Sequence, residues 1–224
     1  MVSSGDAVRG ADDINKAVIF DLDGTLWDAS REILESWNDV IKSETGSPVT
    51  MERLTRELGK PMDRIFCNLF PQLGRSGALA LLEKCSDAEL AYLRRVGAPL
   101  YDGVRETLSE LHGRYSLYIV SNCQSGYIEV FEEYHGLCGC FNGHLSFGDT
   151  GLSKAANISK IIKDEKIKGA VYVGDTQLDE RSAAECGIPF IYAGYGFGNI
   201  VNAKYSIIKF SDLTDIADML LKQA

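Results

Sequence analysis

The sequence predicts a doubly wound α/β sheet of parallel strands, with an α-helical subdomain inserted after the first strand. Three observations carry that prediction. Short, β-rich apolar runs recur at residues 17–20, 117–120, 170–173 and 190–193 without polar alternation, and a strand lacking alternation is one buried on both faces, as in a parallel sheet. Helical patterns lie between them, at 104–111, 127–134, 158–165 and 178–186 with Gly187 as a stop, an alternation that places helices over both faces of a sheet. Finally, the 72 residues 27–98 carry no strand pattern at all.

In chain order, residues 1–16 are polar and mixed in charge, with neither the apolar stretch of a secretory signal nor the arginine-rich pattern of a transit peptide. They read as a short flexible lead-in to the first strand. Within 27–98, Ile33, Leu34, Trp37, Val40 and Ile41 share one face of an amphipathic helix. Leu54 with Leu58, Ile65 with Leu69 and Phe70, the run 78–82, and Leu90 with Leu93 predict further short helices. Gly59-Lys60-Pro61 interrupts that pattern and predicts a helix–helix turn. Removing the insertion leaves about one helical crossover before the second strand, as a parallel pair requires. The division expected is an α/β core over 1–26 and 99–224 and a helical unit over 27–98. His135, Cys138, Cys140 and His144 fall within ten residues. That composition could hold zinc, but the spacing is not a finger pattern, and the segment reads as a turn between a helix and a strand. Residues 205–210 predict an edge strand and 213–221 a closing helix.

The 224 residues are 45% apolar and 25% charged, a globular composition that excludes a disordered chain. No stretch approaches the roughly 20 apolar residues of a membrane span. Twenty-three basic against thirty-two acidic side chains give a net charge of −9, which offers no general attraction to nucleic acid or anionic lipid. An anionic ligand must therefore be held by local groups or a metal. Cys67, Cys85, Cys123 and Cys186 are spread among apolar neighbours, as reduced thiols of a cytoplasmic protein are. The partner expected is a small molecule, with no nucleic acid and no membrane, bound by a monomer or a homodimer.

The candidate chemistry sits at strand ends. The first strand runs into Asp21-Leu-Asp23-Gly24-Thr25, the second into Ser121-Asn122, and the run at 170–173 into Gly174-Asp175, with Asp179 four residues on. Ligands of open α/β sheets bind beyond the carboxyl ends of the strands. Carboxylates gathered there repel one another unless a divalent cation sits among them, and hard oxygen ligands without His or Cys point to magnesium. A lone Asp in such a loop is ordinarily a helix cap or turn residue, and Asp102 and Asp149 are read so. A set drawn from three strand ends is not.

These residues resemble the four motifs of the haloacid dehalogenase superfamily in their usual order: Asp21-x-Asp23-Gly24-Thr25, Ser121-Asn122, Lys154, and Gly174-Asp175-x-x-x-Asp179. The resemblance covers the chain from Ala17 on. Trp27-Asp28-Ala-Ser30, Tyr101-Asp-Gly103-Val104 and Gly194-Tyr-Gly196 are similar to the phosphoglycolate-phosphatase and β-phosphoglucomutase branch. Lys154 is followed by two alanines where many members have proline next, and Asp102 stands where proline is common. The resemblance implies a Rossmann-like core with a helical cap at 27–98 and a phosphatase working through an aspartyl-phosphate.

In that implied mechanism Asp21 is the nucleophile and Asp23 the general acid and base. Magnesium is held by the Asp21 and Asp175 carboxylates and the Asp23 carbonyl. Gly24, Thr25, Ser121, Asn122 and Lys154 surround the phosphoryl group, and Asp179 stands behind them, orienting a metal-bound water or Lys154. A cap loop with a similar Gly and Pro meets the substrate in this branch, which makes Lys60 a possible contact. The dehalogenases lack the second aspartate, so Asp23 argues against that activity. A phosphomutase uses the same residues and stays open as the alternative. A non-catalytic receiver domain carries its phosphorylated Asp after a middle strand and has no such insertion, so both order and length speak against it.

Overall fold

A computed structural model of the chain describes residues 15–222, so most of the expected lead-in lies outside the described residues. Lys16, assigned to that lead-in, instead opens the first strand. Strands β1 (Lys16–Phe20), β2 (Ser116–Ser121), β3 (Gly143–Ser146), β4 (Gly169–Gly174), β5 (Phe190–Ala193) and β6 (Ser206–Ile207) form one sheet in the order β3-β2-β1-β4-β5-β6. Every pairing is parallel.

The period-two placement of side chains explains why the strands look uniformly apolar. Val18 and Phe20 of β1 enter one buried cluster with Leu117, Ile119, Val171 and Val173. Ala17 and Ile19 enter another with Tyr118, Val120, Ala170 and Tyr172 on the opposite face. The first is covered by α5 (Val104–His112), α6 (Tyr127–His135) and α10 (Leu213–Leu221), the second by α8 (Lys154–Asp164) and α9 (Gln177–Glu185). A strand with a helix on each side has no solvated face on which to place polar residues.

Helices α1 (Ser30–Thr45), α2 (Met51–Thr55), α3 (Met62–Leu69) and α4 (Gly74–Val96) lie between β1 and α5. Trp37 of α1 meets Phe66 of α3 edge to face, ring centroids 4.8 Å apart. The two short helices expected around 78–82 and Leu90/Leu93 are one continuous helix, α4, because no Gly or Pro intervenes to stop it. Helix α8 begins at Lys154, a turn earlier than its apolar pattern suggests, since Ser153 caps it by accepting the Ala156 N–H. The edge strand expected over 205–210 shrinks to Ser206–Ile207 because Phe210 turns inward to stack on Phe20. Helix α6 ends at His135 and β3 begins at Gly143, which makes the His/Cys segment the connection between them. A short helix, α7 (Phe147–Thr150), follows β3, and Asp149 serves as a local cap partner of Ser146.

Strand order reverses at β1, whose neighbours are β2 and β4. The crevice beyond their carboxyl ends is the switch point at which such sheets bind ligands.

Candidate active site

Asp21 is the first residue past β1, and its N–H donates to the Val173 carbonyl of β4 at 2.8 Å, so the sheet's own hydrogen bonding fixes its backbone. Its carboxylate Oδ2 lies 2.9 Å from the Lys154 Nζ, which also donates to Asp179 Oδ1 at 2.5 Å. Lys154 is fully buried, its side chain 1% exposed. Burial works against its charge, yet the Asp179 and Asp21 carboxylates outweigh it and hold the ammonium above its ordinary pKa.

Asp23 is fastened separately. Its Oδ1 accepts from Trp27 Nε1 at 2.9 Å and from the Tyr127 hydroxyl at 2.8 Å. Burial pushes its pKa up to about 7 against the lowering effect of the Tyr127 bond, and burial likewise raises Asp21 to about 6. A carboxyl near neutrality both gives and takes a proton, which suits acid–base work.

Asp175 follows β4 and is fully buried. Its Oδ2 accepts from the backbone N–H groups of Phe197 at 2.7 Å and Gly198 at 3.3 Å, while its Oδ1 has no hydrogen-bond partner. Burial and the nearby Asp179 and Asp21 carboxylates hold it well above the usual carboxylate pKa. Gly24 makes this packing possible. At φ +78° it sits so close that a Cβ there would lie 2.4 Å from Asp175 Oδ2.

Asp179 occupies the first turn of α9, where its Oδ2 accepts from the Thr176 N–H (2.8 Å) and hydroxyl (2.7 Å) and from the Asp175 N–H (3.2 Å). Its two oxygens are thus committed to a helix cap and to Lys154, and it braces both neighbours. Among the described residues, Asp21, Asp175 and Asp179 bring one carboxylate oxygen each within 4.8 Å of one another. An orphaned oxygen on Asp175, beside a second buried carboxylate, is what a hard divalent cation would satisfy, so the donor set fits magnesium.

Asp21, Asp23, Ser121, Asn122, Lys154 and Lys60 line one cavity of about 30 Å³, room for a water or two. The sequence-predicted Thr25 does not line it; the residue is buried, with its carbonyl accepting the Tyr195 hydroxyl. Asn122 Nδ2 donates to the Gly59 carbonyl at 2.8 Å, and a Cβ on Gly59 would meet Thr176 at 2.8 Å. The Gly59-Lys60-Pro61 turn therefore rests directly on the strand-end residues. Lys60 itself is ion-paired with Glu57 at 2.8 Å and its side chain is 42% exposed. Elsewhere, His135 packs edge-on to Trp27, while His144 lies between Glu129 and Glu132 of α6.

Motif reading missed Tyr127, Gln124 and Glu89, all of which line the cavity. Glu89 carried a usable signal. The buried positions of α4 are Ala78, Leu81, Cys85, Glu89 and Leu93, and a glutamate on an otherwise apolar helical stripe needs an explanation.

A family model described as haloacid dehalogenase-like hydrolase matches residues 18–193. The chain belongs to this family. It is 26% identical over 191 residues to a phosphoglycolate phosphatase of Xylella fastidiosa, covering 81% of each chain. It is 25% identical to one of Photobacterium profundum, covering 91% of this chain and 96% of that one. Among solved structures, a haloacid dehalogenase-like hydrolase of Streptococcus pneumoniae superposes with a TM-score of 0.78 at 22% identity, covering 92% of this chain and 99% of its own. Among the described residues no helix is long and apolar enough to cross a membrane.

Proposed function

We propose that this member of the family is a magnesium-dependent phosphatase that hydrolyses a small phosphomonoester by way of a phosphorylated Asp21. The observation that carries the reading is the separate anchoring of two strand-end aspartates: Asp21 beside the Lys154 ammonium, Asp23 on Trp27 and Tyr127. Two carboxyls two residues apart thereby have different partners, and so can take different roles.

In the first half-reaction an Asp21 oxygen attacks phosphorus, the bond to the leaving oxygen breaks, and Asp23 supplies that oxygen with a proton. In the second, water attacks phosphorus, Asp23 takes the water's proton, and the bond to Asp21 breaks. Lys154 holds Asp21 in position throughout, and Ser121 and Asn122 stand at the end of β2 facing the same cavity, placed to donate to phosphoryl oxygens. Magnesium held by Asp21, Asp175 and the Asp23 carbonyl would neutralise charge on the transferring group. Residues 27–98 act as a cap over this chemistry, with the turn at Gly59 as one point of contact. The relatives named phosphoglycolate phosphatase support a phosphomonoester as substrate, and six free cysteines suit the reducing cytoplasm in which we place the chain.

The test is release of phosphate from p-nitrophenyl phosphate with magnesium, by the parent and by Asp21→Asn. The parent should turn over and the variant should be inert while keeping the folded circular-dichroism spectrum, because the substitution removes a nucleophile and no core volume. Substantial turnover by a folded Asp21→Asn would overturn the covalent route.

A further inference from the structure

The cavity above Asp21 and Asp23 has a cap side of unusual chemistry. Ile33, Trp37, Leu58, Met62 and Ile65 make it mostly apolar. Its two ionisable cap groups are Lys60 and Glu89. The Lys60 ammonium is already neutralised by Glu57, whose same oxygen also accepts from Asn68 Nδ2 at 2.7 Å. The Lys154 ammonium, on the core side, is committed to Asp21 and Asp179. Glu89 is 1% exposed and is held by Trp37 Nε1 donating to its Oε2 at 2.5 Å.

Beside Glu89 stands the side chain of Gln124, whose amide interacts with the Glu89 carboxyl and whose buried nitrogen and oxygen have no other hydrogen-bond partner. Buried amide groups ordinarily use their full hydrogen-bonding capacity, and a carboxyl and amide with spare capacity facing a ligand cavity offer both donors and acceptors at one spot. Burial raises the Glu89 pKa to about 8, so the group stands as a neutral acid able to donate as well as accept.

We infer that Glu89, with Gln124, binds a hydroxyl of the leaving alcohol, so that the substrate is the monophosphate of a small polyhydroxy compound carrying no second anionic group. This deepens the phosphatase reading and rests on it. A carboxylate on the leaving group would face Glu89 and five apolar side chains, the two lysines among the described residues of the cavity being already paired, and an unpaired buried charge is far costlier than an unpaired hydroxyl. A hydroxyl both donates and accepts, as the carboxyl–amide pair does. Sites built to bind a hydroxyl discriminate strongly, since a substrate lacking it leaves the site's own polar groups unpaired.

The experiment measures kcat/KM in magnesium for glycerol 1-phosphate, phosphoglycolate and p-nitrophenyl phosphate, with the parent, Glu89→Leu and Glu89→Gln. The parent should prefer glycerol 1-phosphate to phosphoglycolate by at least about tenfold. Glu89→Leu should lose most of that preference and Glu89→Gln, which keeps a donor and an acceptor, should retain it. A parent that prefers phosphoglycolate overturns the inference, and so does a folded Glu89→Leu that slows all three substrates equally. If Glu89→Leu does not fold, the parent's preference and its retention in Glu89→Gln decide the matter. Inertness of the parent on p-nitrophenyl phosphate is the separate outcome that sinks the phosphatase reading itself.

Discussion

Replacing Lys154 by methionine keeps the unbranched stem and removes only the charge. In the parent, one fully buried ammonium lies 2.9 Å from Asp21 Oδ2 and 2.5 Å from Asp179 Oδ1, both of them buried. Deleting one member of a buried ion pair costs about 3–5 kcal/mol, because the partner's charge is left without compensation. For a chain of this size each kcal/mol lowers the melting temperature by about 2–4 °C. The expected loss is thus about 6–20 °C, far beyond the fraction of a kcal/mol that a solvated helix-start lysine would cost. Calorimetric melting of Lys154→Met, Asp179→Asn and the double variant in metal-free buffer measures it. The double variant no longer carries an unpaired Asp179 charge, so its loss should fall short of the sum of the two single losses by at least about 1 kcal/mol. A Lys154→Met protein melting within about 2 °C of the parent, or strict additivity of the pair, would refute the claim that this lysine is a structural counter-ion of Asp21 and Asp179.

Three further outcomes follow from the same geometry. Gly24→Ala should leave the chain folded but cut kcat/KM by about 100-fold, since the new Cβ lands 2.4 Å from Asp175 Oδ2 and the oxygen, tied to Phe197 N–H, must give way; near-parent kinetics would show that Asp175 need not be held there. EDTA should silence the enzyme and magnesium restore it, and Asp175→Ala should raise the magnesium concentration for half-activity steeply; an unchanged requirement removes Asp175 from the ligand set. Glu89 has a folded-state pKa of about 8 against an ordinary 4.5. The folded chain therefore binds more protons than the unfolded one between those values, and this residue's contribution to stability falls as pH rises through that window. Denaturant titrations from pH 5 to 8 should show a shallower decline for Glu89→Gln than for the parent, and equal slopes would mean that Glu89 is not buried as an acid.

The parts of this molecule that were legible in the sequence are those where one physical rule acts alone. β1, β2 and β4 are buried on both faces and cannot be mistaken for solvated strands, and the chain must change direction after each, so the residues of their end loops were identifiable in order. Lys154 shows the limit. Its position in a motif was visible, but by itself it reads as a surface lysine starting a helix, and only the tertiary fold reveals that Ser153 caps α8 in a place that drives the side chain between two aspartates. β6 was overestimated because Phe210 belongs to the core by stacking on Phe20 and not by pairing. β3 carries no long apolar run, since it is a four-residue edge strand with most positions half-buried. The helical insertion was legible as amphipathic and no further. Periodicity says which face of α4 is buried but not that Glu89 on that face meets Trp37, fifty-two residues earlier, at the roof of the cavity.

The charges of the site connect its parts. With the Asp23 pKa pushed up to about 7 by burial, the remaining charges of the site are Asp21, Asp175 and Asp179 against Lys154. When all three carboxylates are ionised they exceed the one ammonium by two negative charges in a region from which water is largely removed. Such an excess repels a phosphomonoester, and the net charge of −9 over the whole chain adds to the repulsion. It is also the complement of one divalent cation. Burial first, and the neighbouring carboxylates after it, raise the pKa values of Asp21 and Asp175, because a carboxylate removed from water and set beside like charge more readily takes up a proton. On the proposed reading, binding of an anionic substrate and occupation of the Asp21–Asp175 pair by a divalent cation would be one electrostatic problem, solved by the same two oxygens. On that reading the acidity of this protein would pose no obstacle to the phosphate-binding site proposed at the three strand ends.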